Sequence, residues 1–233
     1  MEDALATTCA EGLAFFSKTN RLISHELKNI LAIISETLGL MEELTSLANA
    51  GKALTPGKLE SLSASIIEEV ERANTLTRGM NTFAHTVDEL SADVDVRQAV
   101  MLIVQLSQLD ADIKHTGVKV APGDPCRTHT SSFFLQNLIY SILKHGSGEP
   151  PAGGEKGITV SVANAGSGVQ IAFSNLAEGA TASFPTEKQV FMAKMLSAEL
   201  ITDSGTNTIT IALPEKPEDR IIEQIASPLS DDT

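Results

Sequence analysis

Two segments near the start of the chain repeat apolar side chains at spacings of three and four residues. This spacing places one apolar stripe along an α-helix and is typical of helices that pack side by side. The first stripe is apolar at all but two of its positions, which are Phe16, Asn20, Ile23, Leu27, Ile30, Ile34, Thr37, Met41 and Leu44. The second stripe consists of Leu59, Leu62, Ile66, Val70, Ala73, Leu76, Met80, Phe83 and Val87. The chain is therefore expected to begin with two long amphipathic helices.

A short loop joins the two predicted helices. Residues 47–57 contain the helix breakers Gly51, Pro56 and Gly57. Long helices with a short connection form an antiparallel hairpin, and a single hairpin leaves its stripe half exposed. Two copies that pair as a four-helix bundle would cover it. We therefore expect residues 1–90 to form a dimerisation hairpin and the protein to be a homodimer.

The sequence pattern changes to mixed helix and strand after a polar linker predicted at 89–95. Helices are predicted at 96–109, 131–144 and 187–200, and strands at 118–120, 158–162, 169–173 and 208–213. The predicted fold class is thus α + α/β, with the hairpin followed by an α/β domain over 95–214. The remainder, 215–233, is an acidic tail in which the pattern allows one short helix at 218–226.

Composition excludes several classes of function. The formal net charge of −13 argues against nucleic acid as a partner, because binding to a phosphate backbone requires clustered lysine and arginine. The two cysteines, Cys9 and Cys126, are far apart, and no histidine has metal-site spacing, so neither a disulfide framework nor a metal site is expected. The sequence has no signal-peptide pattern and no apolar run that could span a bilayer, which predicts a cytoplasmic protein without membrane attachment.

The first helix carries a group of polar residues on the side away from its stripe. His25 lies between the stripe positions Ile23 and Leu27 and must point outward, with Asn29 one turn further along the same side. An exposed imidazole can carry a phosphoryl group on a ring nitrogen, provided that the other nitrogen keeps or shares its proton. Glu26 can favour that tautomer and accept a proton, and the Asn29 amide can hold a water for hydrolysis.

The same segment resembles the H-box helix of bacterial sensor histidine kinases. Family members read Ser-His-Glu-Leu-Arg/Lys-Thr/Asn-Pro-Leu, and residues 24–29 read Ser-His-Glu-Leu-Lys-Asn, with Ile30 in place of the usual proline. The second helix, with Asn-Thr-Phe-Ala-His-Thr-Val-Asp at 81–88, is also similar. The resemblance implies that His25 is the phospho-acceptor, Glu26 its acid–base partner, and Asn29 the residue that supports phosphatase activity toward a response regulator.

The second domain resembles the ATP-binding α/β sandwich of that family but departs from its nucleotide motifs. Residues 134–145 are similar to the N-box helix, where the family reads Asn-Leu-x-x-Asn-Ala-x-Lys-His/Tyr. Asn137 matches, but Ser141 replaces the asparagine that binds Mg²⁺ in the family. Neither the Asp-x-Gly-x-Gly motif, expected near 173–180, nor a glycine-rich lid is present. Since phosphoryl transfer from ATP depends on positioned Mg²⁺ and donors, we expect a degenerate domain with no stably bound cofactor.

These observations predict a histidine phosphotransferase that exchanges phosphoryl groups with receiver domains of response regulators. The receiver would supply Mg²⁺ and would dock on exposed residues beside the stripe, around Ala32, Ile33, Glu36 and Leu40. Three alternatives stay open: a divergent histidine kinase that uses ATP, a response-regulator phosphatase that uses Asn29, and a dimeric scaffold without catalytic activity.

Overall fold

The computed structural model describes residues 2–53, 55, 57–150 and 155–216. Helix α1 spans Glu2–Asn49 and helix α2 spans Lys58–Ala84, so the two predicted long helices are confirmed. None of the helices in the described ranges is both long and apolar enough to cross a bilayer. The chain divides into two compact units, one made of Asn20–Thr82 and the other of Met1–Thr19 together with Phe83–Thr233.

The helical unit, Asn20–Thr82, buries only part of the predicted stripes. Ile23 and Ile30 of α1 are fully buried, and Leu76 of α2 is 6% exposed. Most other stripe positions in this unit are half-buried, whereas Val70 is 43% exposed. An apolar stripe that is buried near one end and half-covered elsewhere matches a hairpin whose two helices alone cannot bury it.

The second unit contains an α/β domain. Its elements after α2 are a 3₁₀ turn at His85–Val87, β1 (Ala92–Asp95), α3 (Val96–Ser107), α4 (Ala111–Thr116), β2 (Val118–Val120), β3 (Arg127–Thr130), α5 (Ser132–Gly146), β4 (Ile158–Ala165), β5 (Gly168–Ser174), α6 (Glu187–Met195), β6 (Glu199–Asp203) and β7 (Thr208–Leu213). The main sheet has the order β2-β4-β5-β7-β6. β2 pairs with β4 in parallel, and the other pairs of this sheet are antiparallel. β1 and β3 form a separate antiparallel pair.

The core of this domain lies between one face of the main sheet and the helices. Alternate residues of β4, β5 and β7 are buried, as period-two patterning requires: Ile158, Val160, Val162, Val169, Ile171, Phe173, Ile209, Ile211 and Leu213. The central helix α5 contributes Leu135, Leu138, Ile139, Ile142 and Leu143, each completely buried. The predicted fold class, a helical hairpin followed by an α/β domain, is confirmed.

Two sequence predictions were wrong in this domain, and two elements were missed. The predicted linker at 89–95 contains β1, which pairs with β3 through polar residues such as Thr128 and therefore shows no clear alternation. The helix predicted at 187–200 ends at Met195 because Ser197 adopts a φ of 51°, after which β6 begins. β3 and the six-residue α4 were not predicted. The helix predicted at 218–226 lies outside the described residues.

The first part of α1 belongs to the same compact unit as the residues that follow α2. Phe15 is 4% exposed, and its ring centroid lies 5.4 Å from those of Phe83 and Tyr140 and 5.9 Å from that of Phe133. Gly12 permits this approach, since a Cβ atom there would come within 2.9 Å of the Phe133 ring. Burial of these rings stabilises the contact between α1 and α5.

A buried carboxylate reinforces the same contact. Asp110 has a side-chain exposure of 8% and accepts from Lys18 Nζ at 2.7 Å, Tyr140 Oη at 2.7 Å and Lys144 Nζ at 3.0 Å. It also caps α4 by accepting from the Asp112 amide at 3.2 Å. Burial by itself would raise the pKa of the Asp110 carboxyl, but the hydrogen bonds from Lys18, Tyr140 and Lys144 outweigh burial and hold that pKa well below its usual range.

We expect Asp110→Asn to lower the free energy of unfolding by about 1–3 kcal/mol at neutral pH, because it weakens three hydrogen bonds to a buried group. A depressed folded-state pKa contributes stability that is fully present above the unfolded-state value and is lost as the pH falls below about 4. The variant should therefore lose less stability than the wild type on acidification. Urea denaturation followed by circular dichroism at a series of pH values measures both effects. Asp124→Asn, at an exposed site, is the control, and equal acid sensitivity of wild type and Asp110→Asn would contradict the assignment.

Candidate functional site

His25 lies on the solvent-exposed side of α1 in the helical unit. The stripe residue Ile23 on the opposite side is completely buried, which fixes the direction in which His25 points. Asn29 Nδ2 lies 3.3 Å from His25 Nδ1, one helical turn away. His25 Nε2 has no hydrogen-bond partner among the described residues. The ring is thus held at one nitrogen by its own helix and presents the other nitrogen to solvent.

Glu26 is shared between the two helices of the hairpin. One carboxylate oxygen accepts from Asn29 Nδ2 at 3.4 Å, and the other forms an ion pair with the Arg72 guanidinium on α2. Arg72 also pairs with Glu69 at 3.3 Å. The Glu26 side chain is 17% exposed, so the guanidinium offsets a charge that is partly removed from water. Glu26 therefore contacts His25 through the Asn29 amide rather than directly.

The amide of Asn29 controls which nitrogen of His25 carries the proton. With Nδ2 facing the ring, Nδ1 must act as the acceptor, and the proton of the neutral ring resides on Nε2. If the amide turns so that Oδ1 faces the ring, Nδ1 holds the proton and Nε2 becomes the nucleophile. Because Glu26 accepts from Nδ2, the carboxylate favours the first orientation, and Arg72 weakens that preference by neutralising the carboxylate.

Helix α5 carries the residues predicted as the degenerate N-box. Asn137 is 2% exposed, and Ser141 Oγ accepts from Gln189 Nε2 of α6 at 3.3 Å. Lys144 donates to Asp110 and Asp112. Burial alone would lower the pKa of Lys144, but the hydrogen bonds to Asp112 and Asp110 raise it. Ser141, which the resemblance aligns with the Mg²⁺-binding asparagine of the kinase family, is therefore engaged in a contact within the protein.

The segment after β5 does not fit a nucleotide either. Leu176 is completely buried, and a Cβ atom on Gly146 at the end of α5 would come within 2.5 Å of its side chain. The Ala177 amide donates to the Gly146 carbonyl at 2.8 Å. An apolar side chain packed against α5 thus occupies the stretch where the family has aspartate and glycines. These residues do not fit Mg²⁺–ATP.

The described residues contain no group of three or more histidine, cysteine or carboxylate side chains that could hold a metal ion. His145 Nε2 lies 2.9 Å from the Ala180 carbonyl, and His129 pairs with Asp93 at 3.1 Å. Cys126 is buried as a free thiol. No sequence pattern indicated the contacts of Arg72, Asp110 and Lys18, because each contact joins residues far apart in the chain.

No protein-family model matches the chain, and no curated protein matches it. Several solved structures are similar to it. The catalytic domain of the histidine kinase ThkA is similar at 11% identity with a TM-score of 0.43, over 55% of this chain and 99% of that one. The histidine kinase AdeS of Acinetobacter baumannii is similar at 11% identity and 0.40, over 82% and 98%. A structure described as a bacterial phosphotransferase is similar at 11% identity and 0.39, over 85% and 95%.

Two of these three structures, ThkA and AdeS, are described as histidine kinases. At this level of identity the similarity concerns the fold, and any activity has to be argued from the residues of this chain.

The orientation of the Asn29 amide makes a spectroscopic prediction. In the wild type, neutral His25 should carry its proton on Nε2, whereas Asn29→Asp, which can only accept, should move it to Nδ1. Two-bond ¹H–¹⁵N correlation spectra of ¹⁵N-histidine-labelled protein, recorded at about pH 8.5, distinguish the two tautomers. Asn29→Ala is the control that removes the amide without adding an acceptor. A wild-type ring protonated on Nδ1 would contradict the orientation described here.

Proposed function

We propose that this protein is a histidine phosphotransferase of two-component signalling that carries a phosphoryl group on His25. The observation that carries the proposal is an exposed imidazole whose Nδ1 contacts an amide while Nε2 has no partner among the described residues. A helix holds this ring rigidly, so a receiver domain can approach it without a change in the backbone. The proposed partner is the receiver domain of a response regulator, which brings its own aspartate and Mg²⁺.

The transfer step uses the tautomer with the proton on Nδ1. The lone pair on His25 Nε2 attacks the phosphorus of an aspartyl phosphate, an N–P bond forms, and the P–O bond to the aspartate breaks. The aspartate leaves as a carboxylate, and the proton on Nδ1 stays on the ring and donates to Asn29 Oδ1. Return of the group to a second receiver is the reverse of this step, so the protein can act as a relay.

The source of the phosphoryl group is proposed to be a receiver rather than ATP. Catalysis of transfer from ATP relies on positioned Mg²⁺ and donors around the phosphates. Ser141 is hydrogen-bonded to Gln189, and Leu176 fills the core where the kinase motif would need aspartate and glycine. This supports the phosphotransferase over a divergent kinase, which remains the second candidate.

The helical unit is proposed to dimerise as a four-helix bundle. It exposes large apolar side chains on both helices, with Leu31 60% exposed and Leu38 48% exposed on α1, and Ile67 57% exposed on α2. A second copy of the hairpin would cover such residues. Ile33 and Leu40 are also exposed, next to Ala32 and Glu36, and these four residues form the proposed receiver-docking surface.

Multi-angle light scattering tests the dimer. The wild type should elute at twice the 24.7 kDa mass of one chain, and Leu31→Glu should shift it toward the monomer, because a charge would be buried in the bundle. Leu13→Glu places the same charge on an exposed residue of the other unit and should leave the mass unchanged. A wild type that elutes as a monomer would exclude the bundle.

A pair of labelling assays tests the activity. Wild type, His25→Ala and Arg72→Met are each mixed with radiolabelled ATP and Mg²⁺ or with a radiolabelled phospho-receiver. We expect label from the receiver only, loss of that label in His25→Ala, and an altered rate in Arg72→Met, since Glu26 would then hold the Asn29 amide more firmly. Arg72→Met should cost about 1 kcal/mol of stability, because the Arg72 side chain is 44% exposed even though that of Glu26 is only 17% exposed.

The same assays separate the alternatives. Label from ATP on His25 would establish a kinase and overturn the proposal. Loss of receiver phosphate without labelled His25, abolished in Asn29→Ala, would establish a phosphatase. Binding of receivers without any transfer or hydrolysis would leave a dimeric scaffold.

A further inference from the structure

A serine, a histidine and an aspartate lie side by side at the antiparallel pair β1–β3 of the second unit. Ser91 Oγ lies 3.1 Å from His129 Nε2, and His129 Nδ1 lies 3.1 Å from Asp93 Oδ1. The two ring nitrogens of one histidine thus contact a hydroxyl on one side and a carboxylate on the other. This is the order of contacts that activates the nucleophile of serine hydrolases.

The register of the two strands brings these side chains together. Asp93 and His129 are directly opposite each other in the pair. Ser91 precedes Asp93 by two residues, so strand alternation places it on the same face and diagonally across from His129. The opposite face is buried, with Val94 9% exposed and Thr128 4% exposed. The three polar side chains therefore lie on the face that is turned away from the core.

The carboxylate determines which nitrogen of the His129 ring is the base. An ionised carboxylate can only accept a hydrogen bond, so its contact with Nδ1 requires a proton on that nitrogen. In the neutral ring, Nε2 then carries the lone pair, and Ser91 Oγ donates to it. His129 differs in this respect from His25, whose Nδ1 contacts an amide that can face the ring in two ways.

Access and charge narrow the class of reactant. The side chains of His129 and Asp93 are 41% and 81% exposed, and Ser91 is half-buried, so a small molecule can reach the hydroxyl from solvent. The Asp93 carboxylate adds to the negative field of a chain whose formal net charge is −13, and this field repels phosphorylated and other anionic reactants. A neutral ester is not repelled.

We propose that Ser91 is a nucleophile that accepts an acyl group from a neutral activated ester, with His129 as its general base and Asp93 as the residue that positions the ring. Ser91 Oγ attacks the carbonyl carbon, a C–O bond forms, and the Oγ proton moves to His129 Nε2. The bond to the leaving alcohol then breaks, and the alcohol takes the proton from Nε2. The products are an acyl ester on Ser91, the free alcohol and a neutral ring. This site is independent of His25 and of the proposed phosphotransfer.

Peptide mapping after a timed reaction tests the proposal. The full chain is incubated with p-nitrophenyl acetate, quenched with acid and digested, and mass spectrometry measures acetylation at individual serines. Ser63, an exposed serine on α2, is the internal control in the same digest. We expect Ser91 to be acetylated about tenfold or more faster than Ser63, because a positioned general base accelerates the attack. His129→Gln should remove this difference.

The chain offers a matched control for the histidine. His85 Nδ1 lies 2.7 Å from Asp88 Oδ2 in the 3₁₀ turn, which makes a second exposed histidine–aspartate pair. His85→Gln should leave the acetylation of Ser91 unchanged. His25→Ala should leave it unchanged as well, so a failure of this proposal and a failure of the proposed phosphotransfer are distinguishable.

The ring tautomer tests the role of Asp93. Two-bond ¹H–¹⁵N correlation spectra of ¹⁵N-histidine-labelled protein, recorded at about pH 8.5, should show the His129 proton on Nδ1. Asp93→Asn, whose amide can also donate to Nδ1, should move the proton toward Nε2 and slow the acetylation of Ser91, whereas Asp93→Glu should retain the Nδ1 tautomer. A merely structural role for Asp93 would leave the tautomer unchanged.

Four results would overturn the proposal. They are equal acetylation of Ser91 and Ser63 in the wild type, no effect of His129→Gln, an equal loss in His85→Gln and His129→Gln, and a wild-type His129 ring protonated on Nε2. The comparison of Ser91 with Ser63 and the wild-type spectrum need no variant, so the test holds even if His129→Gln does not fold.

Discussion

The Asp110 carboxylate joins three helices of the second unit. It caps α4, accepts from Tyr140 and Lys144 on α5, and pairs with Lys18 on α1. Burial and the hydrogen bond to Asp110 raise the pKa of the Tyr140 hydroxyl, so this donor stays protonated in neutral solution. The Tyr140 ring also lies 5.4 Å from the Phe15 ring, so this polar centre adjoins the aromatic cluster that Phe15 forms with Phe83 and Phe133.

Helix α1 contributes residues to both compact units. Its first part belongs to the unit that contains the α/β domain and packs against α5, whereas its second part carries His25. Because this one continuous helix contributes residues to both compact units, its sequence must meet the packing requirements of each unit. Gly12 shows the consequence, since a Cβ atom there would come within 2.9 Å of the Phe133 ring.

Sequence patterns anticipated the parts of the fold that depend on local periodicity. The stripes on α1 and α2 and the alternation in β4, β5 and β7 repeat over enough residues to be recognised, and their buried positions agree with the prediction. β1 and β3 are short and largely polar, so their pairing depends on tertiary contacts that no local pattern encodes. The end of α6 depends on the backbone conformation of Ser197, which is a rare choice for serine.

Some polar contacts at the candidate site could likewise be predicted from local spacing, and others could not. The spacing of His25, Glu26 and Asn29 follows from helical geometry, and their mutual contacts could be expected from the sequence. Arg72 could not, because 46 residues separate it from Glu26 and many charged residues on α2 were equally available. Likewise, Lys18 and Asp110 come together only after the chain has folded.

Leu176 ties the segment after β5 to the hydrophobic core of the second unit. Its side chain is completely buried against Gly146 at the end of α5. Aspartate in its place would bury a charge and glycine would remove core volume, and either change is destabilising. Ser141 is engaged in a similar way through its bond to Gln189. A nucleotide motif could therefore be introduced at these positions only together with compensating changes elsewhere in the core.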